Sequence, residues 1–263
     1  MTSLSHSLAL PRRRTAPRAA FGQIVRNEAR LAWRRPVGLI GGIGIPMLLL
    51  VVFGEIPAFQ QPLAAFGGAT TFDVYEPILV VFSLAMMGLM GLPIPLVTYR
   101  ELGVLRRLST TPVPPSWLLA AQGAIQLGTA VIMSVAIIVI SITAFGVPAP
   151  KSPGGLMLSF LLAVAGLFAI GLVIASVART ATAVNVIGRV TFFPLMFFAG
   201  LWLPRALMPS VLYDISNFTP LGAAVQAIQA SMQTGFPPVA PLLVLTAYAL
   251  VFGFLARRFF RWE

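Results

Sequence analysis

The chain has 263 residues, of which apolar types (AVILMFWYC) make up 58% and charged types 10%, with a formal charge of +11. Soluble domains carry roughly half apolar and a quarter charged residues, and none sustains the stretches seen here between Arg107 and Lys151, or between Asp214 and Arg257, without one Asp, Glu, Lys, Arg or His. A water-soluble fold is excluded, and so is disulfide or thiolate chemistry, because there is no cysteine.

The expected class is an all-α integral membrane protein. Residues 1–18 read as a disordered tail, and residues 19–36 as a cytoplasmic amphipathic helix. Within it Phe21, Ile24, Val25, Leu31 and Ala32 share one arc, with Arg26, Arg30 and Arg34 opposite. Glu28 falls inside the apolar arc, so it either pairs with an arginine such as Arg106 or Arg107 or faces a protein partner.

A helix crossing ~30 Å of hydrocarbon needs about 20 mostly apolar residues. Six stretches between residues 37 and 256 qualify: Val37 to Gly54, Pro77 to Val97, Ser116 to Val147, Gly155 to Val177, Ala183 to Leu203 and Val239 to Ala256. Pro93, Pro95 and Pro194 are expected to kink their helices, and Gly38 and Gly42, four apart, allow close helix approach.

Between the second and third spans, Glu101, Val104, Leu105 and Leu108 share one face at helical spacing, with Arg100 and Arg107 on the other. Such a short helix either docks in a partner's groove or lies on the membrane. In the fifth span, Phe193 and Phe197 either wall a path for an apolar substrate or face lipid. Arg189 either snorkels to the interface or serves a pore or subunit interface. After it, Thr219-Pro220 is a helix start, opening a short re-entrant or interfacial helix. There Leu221, Val225, Ile228 and Met232 form one stripe, and Gln226, Gln229 and Gln233 another, which lines an exit path or faces water.

Arginine decides the expected orientation. Eight arginines precede the first span, three (Arg100, Arg106, Arg107) follow the second, Arg179 follows the fourth, and Arg257, Arg258 and Arg261 end the chain. The opposite side receives Lys151 and Arg205 with Glu55, Asp73, Glu76 and Asp214. Both termini and the tail at residues 257–263 are therefore expected in the cytoplasm of a bacterial plasma membrane, with anionic lipid rather than nucleic acid as counterpart to the positive charge.

Catalytic and metal sites are not expected: the lone histidine, His6, lies in the tail, and no cluster of ligating residues is visible. The one lysine, Lys151, follows Pro150 and does not stand in a GxxxxGK[ST] loop. Every acid is placed at or beyond a span end, which speaks against an ion-coupled carrier or channel.

Three segments resemble a known family. Tyr99 to Pro112 (YRELGVLRRLSTTP), Phe193 to Pro209 (FPLMFFAGLWLPRALMP) and Asn217 to Leu221 (NFTPL) are similar, in that order among six spans, to permease subunits of the type-2 ABC exporter superfamily. That group includes bacterial drug-resistance and polysaccharide-export permeases. Ala199 departs from the serine frequent before the glycine. The resemblance implies a half-transporter of two six-span subunits, the second a copy of this chain or a related permease. Each would be seated on a separate ABC ATPase that binds ATP and Mg, moving a drug-like or lipid or glycan substrate outward. It also implies coupling to the ATPase through Glu101, Val104, Leu105, Arg106, Arg107 and Leu108, with Glu28 on the neighbouring helix. Phe193, Phe197, Gln226 and Gln229 are the candidate substrate path.

Overall fold

The computed structural model describes residues 17–33, 40–104 and 116–259. Among these the fold is helical, with no strand and one isolated bridge between Pro62 and Thr70. The helices are α1 (Pro17–Trp33), α2 (Ile45–Glu55, led in by a wide turn over Ile40–Gly44), α3 (Thr71–Glu101), α4 (Ser116–Phe145), α5 (Pro153–Val177), α6 (Ala181–Ala199), α7 (Ser210–Phe218), α8 (Pro220–Gln233) and α9 (Val239–Phe259).

Five of these, α3, α4, α5, α6 and α9, are long and apolar enough to cross a bilayer. The expected first span is described only from Ile40 to Glu55, and its apolar helix, Gly42–Glu55, is shorter than a full crossing. Six complete spans are thus not seen among the described residues.

The helix starts follow from capping chemistry. Thr70 accepts from the Asp73 N–H at 3.0 Å while the Asp73 carboxylate accepts from the Thr70 N–H at 2.8 Å, a reciprocal box that satisfies two orphan donors. Ser152, Thr180 and Thr219 cap α5, α6 and α8, with proline at the first position of α5 and α8.

The Thr70 box carries a correction. Helix α3 begins six residues before the expected Pro77, so Glu76 is not outside the span. It sits in the second turn of the helix, 3% exposed, facing Ser141 of α4.

Helix α3 is the core of the bundle: its most apolar window is 78% buried, against 22% for α6 and 17% for α9. Where kinking is expected at Pro93 and Pro95, which lack N–H donors, the helix widens into a π turn over Met87–Gly91, and the Leu92 N–H reaches back to the Met87 carbonyl at 2.9 Å. The Gln126 side-chain amide of α4 donates to the Gly91 carbonyl at 2.9 Å, satisfying backbone that lipid could not.

Around that turn the backbones nearly touch. A Cβ on Gly171 of α5 would lie 2.0 Å from the Gly88 oxygen, and one on Gly188 of α6 would lie 3.1 Å from the Leu89 oxygen. Gly42, too, leaves room for a neighbour, the Met87 side chain. Gly38 lies outside the described residues.

The expected short helix at Leu221 to Thr234 is present as α8, and its apolar stripe is inserted into the bundle. Leu221, Val225 and Ile228 are fully buried, against α5, α9, α6 and α3. The connection before α5 is tied to its end by N–H donors of Lys151 and Ser152 to the Met232 and Ser231 carbonyls.

Candidate functional site

The candidate residues gather at two opposite ends of the bundle. At one end α1 packs on the start of α4, with Phe21 edge-on to Trp117 at 5.9 Å. Glu28 is buried there, and its Oε2 accepts from the Tyr99 hydroxyl at 2.6 Å and from the Gln122 side-chain amide. One carboxylate thereby joins α1, α3 and α4. Arg106 and Arg107, the partners expected of Glu28, lie outside the described residues, as do Leu105 and Leu108.

Glu101 and Val104 do not share one helical face. Helix α3 stops at Glu101, and Gly103 turns the chain with φ +66°, a left-handed conformation that glycine adopts without a Cβ penalty. Beyond the turn, Val104 packs with Ile24 on a small cluster of Tyr99 and Leu118, so its apolar side faces its own chain.

Glu101, though exposed, accepts from the Ala181 N–H at 3.1 Å at the start of α6. Its neighbour Arg100 donates to the Ala178 carbonyl, the C-cap of α5. The pair therefore places a cation on the negative end of one helix and an anion on the positive end of the next, fixing the α5–α6 turn to the end of α3.

At the other end, α7, α8, the start of α3, the loop at Ala65 to Ala69 and the turn at Arg205 and Ala206 line a half-open cavity of about 310 Å³. Gln226 and Gln229 line it, with Gln233, Arg205 and Tyr213. The glutamine stripe is half-buried and internally bonded, so it does not simply face open water. The Gln229 amide donates to Gln233 Oε1 at 3.2 Å, and the Gln233 amide donates to the Asp73 carbonyl at 2.8 Å.

Arg205 is 8% exposed. Its Nε donates to the Ser216 hydroxyl at 2.8 Å, one Nη donates to the Asn217 side-chain oxygen, and its guanidinium lies 5.1 Å from the Tyr213 ring centroid. Burial lowers its pKa from the ordinary value, with Tyr213 opposing the shift.

Phe193 and Phe197 are elsewhere. Both are on α6, where Phe193 is 54% exposed on a face with Val186, Arg189 and Val190. It packs at 5.7 Å on Phe192 and at 6.0 Å on Trp202, while Phe197 packs at 5.5 Å on Phe198. Of the four candidate path residues, Gln226 and Gln229 line this cavity and Phe193 and Phe197 do not. Arg189 points away from the bundle midway along α6.

Tyr99, Gln122, Arg205 and Tyr213 were not singled out by spacing. Arg205 had a legible signal, a lone cation between Pro204 and Pro209 followed by Ser216 and Asn217.

The sequence has counterparts among known proteins. The chains named as transport permease ycf38 from Pyropia yezoensis and Cyanophora paradoxa are 26% and 27% identical to it over 204 and 201 residues. The alignments cover 74% of this chain in both cases and 67% and 68% of those proteins. The family model described as ABC-2 type transporter matches residues 19–233, from α1 through the end of α8. With that match spanning most of the sequence, the chain belongs to the ABC-2 type transporter family, as a membrane permease.

Proposed function

We propose that this chain is the membrane-spanning subunit of an ATP-driven exporter, moving a hydrophobic or amphiphilic compound out of the cytoplasm, with ATP and Mg held by a separate ATPase subunit. The observation that carries this reading is the family match over residues 19–233 in a chain with no GxxxxGK[ST] loop of its own. Such a permease receives its mechanical work from a partner.

The end bearing α1 and the Arg100-Glu101 clamp is the cytoplasmic one on this reading, because the arginines concentrate there. A push delivered at the loop after Glu101 has two rigid routes into the bundle: through Glu28 to α1 and α4, and through the clamp to α5 and α6. The working unit is a pair of permeases, self or related, with efflux of an antibiotic-like compound as one use.

The test is co-purification with a candidate ABC ATPase, followed by hydrolysis and transport in the same proteoliposomes. Glu101→Lys puts like charge on the start of α6 beside Arg100, and transport per ATP is expected to fall several-fold while basal hydrolysis persists. Unchanged coupling in that variant would remove the clamp from the mechanism. Loss of all ATPase association by the wild-type chain would remove the exporter reading.

One observation favours a second reading, an ion-coupled carrier: Glu76 is a carboxylate inside α3, and acids within spans mark proton paths. On that reading an imposed pH gradient drives uptake into vesicles lacking any ATPase, and Glu76→Gln abolishes it. On the exporter reading such vesicles are inert.

A further inference from the structure

The cavity at the α8 end holds a cation that no described carboxylate compensates. Arg205 is buried, yet its hydrogen bonds go to a hydroxyl and a side-chain amide oxygen, both neutral. Guanidinium carries five N–H donors, of which these bonds use two. Among the described residues no carboxylate lies within ion-pair distance of it. Of the acids at this end, Asp73 closes the cap on α3, Glu76 faces Ser141 of α4, and Asp214 is exposed on α7.

A buried charge normally carries a matching partner, because desolvation costs several kcal/mol. Here the guanidinium is held in place from one side by Ser216 and Asn217 and from its face by Tyr213, and it borders the cavity. Its backbone is equally fixed, since Gly200, with φ +97°, brings the end of α6 under the Arg205 side chain.

The other walls divide by chemistry. Gln226 and Gln229 present amide groups from α8, while Phe66, Ile78 and Val225 present apolar surface. A fixed guanidinium fork suits the paired oxygens of a phosphate or carboxylate, amides add donors beside it, and the apolar wall takes the first carbons of a chain. A volume of about 310 Å³ accommodates a headgroup with a short stretch of chain, and the open side leaves room for the rest of an acyl chain.

We propose that this cavity binds the anionic headgroup, phosphate or carboxylate, of an amphiphile, with Arg205 as its charge partner and Gln226 and Gln229 as flanking donors. The occupant is either a resident membrane lipid or the cargo itself. The second case rests on the exporter reading; the first does not.

The binding test uses the full chain alone in phosphatidylcholine nanodiscs, titrated with dodecyl phosphate and, as uncharged match, dodecyl glycerol. The readouts are native mass spectrometry and thermal shift. Wild type is expected to bind the phosphate and to prefer it at least tenfold over the neutral match. Arg205→Gln should lose that preference, weakening phosphate binding by about tenfold or more, whereas Arg258→Gln at the opposite end should not.

Should Arg205→Gln fail to fold, the double variant Gln226→Leu/Gln229→Leu keeps the arginine's own supports and is expected to weaken binding by several-fold. Equal binding of charged and neutral probes by wild type, or undiminished binding by the variants, overturns the proposal.

Two further arms separate the sources. Extraction of anionic lipid with wild type but not with Arg205→Gln assigns the site to lipid. Stimulation of the partner ATPase by dodecyl phosphate, lost in Arg205→Gln, assigns it to cargo. Failure of the ATPase arm with binding intact rejects the cargo assignment alone, and a chain that binds no ATPase at all leaves the nanodisc result standing by itself.

Discussion

Glu28 shows how a single side chain can make an amphipathic helix specific. On a helix lying against lipid, a carboxylate in the apolar arc would have to reach water or be neutralised. Here two donors from two different spans converge on one of its oxygens. Its misplacement in the hydrophobic pattern was legible, but its partners were not. Tyr99 and Gln122 are 71 and 94 residues away, and an uncharged hydroxyl and amide leave no mark in a charge pattern. Glu28→Ala removes the buried carboxylate that both donors reach and is expected to cost about 1–3 kcal/mol. Glu28→Gln keeps one acceptor oxygen and should cost less. Thermal unfolding of the purified chain in detergent measures both, and wild-type midpoints in the two variants would show that the carboxylate pins nothing.

At the scale of elements, the arrangement depends on what is missing from the glycines of α3 and α5. Helices in lipid gain nothing from excluding water, so they associate through close packing, and at Gly88–Gly171 two backbones meet directly. Gly171→Ala would drive a methyl group to 2.0 Å from a backbone oxygen that cannot rotate away. Overpacking of this kind costs typically 1–3 kcal/mol, and the π turn beside it would have to shift as well. Gly253→Ala on α9, where nothing lies within 4 Å, is expected to be neutral or slightly stabilising, since alanine is the better helix former. Folded yield and melting temperature, compared for the two variants, decide the point.

The start of α3 shows why some boundaries resist a hydropathy reading. Asp73 and Glu76 dilute the apolar signal before Pro77, whereas the Thr70-to-Asp73 cap, a four-residue motif, records the true beginning. The end of α3 misleads in the opposite way. Glu101 and Val104 stand three apart as on one helix face, but Gly103 with positive φ separates them.

For the whole molecule, the open question of architecture is whether the segment before Glu55 crosses the membrane. The described helix is short, yet its neighbours place its ends at different depths. Near its start Gly42 lies under Met87, and near its end Phe53 packs on Tyr75 at 4.8 Å, so it runs antiparallel to α3 toward the cap. Helix α1 sits at the far end of the same helix, bonded to Tyr99. Tyr75 and Tyr99 are separated by about 36 Å at 1.5 Å per residue, more than the ~30 Å of a hydrocarbon core. That separation predicts that the connection from α1 to the loop after Glu55 crosses the membrane.

The sequence contains no cysteine, which makes a direct test clean. Gln23→Cys on the exposed side of α1 and Gln61→Cys in the exposed loop after α2 are each labelled with a membrane-impermeant maleimide in intact cells and again after permeabilisation. Crossing predicts that Cys at position 61 reacts in intact cells, while Cys at position 23 reacts only after permeabilisation. Ser152→Cys, next to the start of α5, should follow position 61, because the Lys151 and Ser152 amides are bonded to the end of α8 beside the same cavity. If positions 23 and 61 label together, α1 and the first loop share a side, the stretch before Glu55 is a re-entrant hairpin, and the permease has five spans.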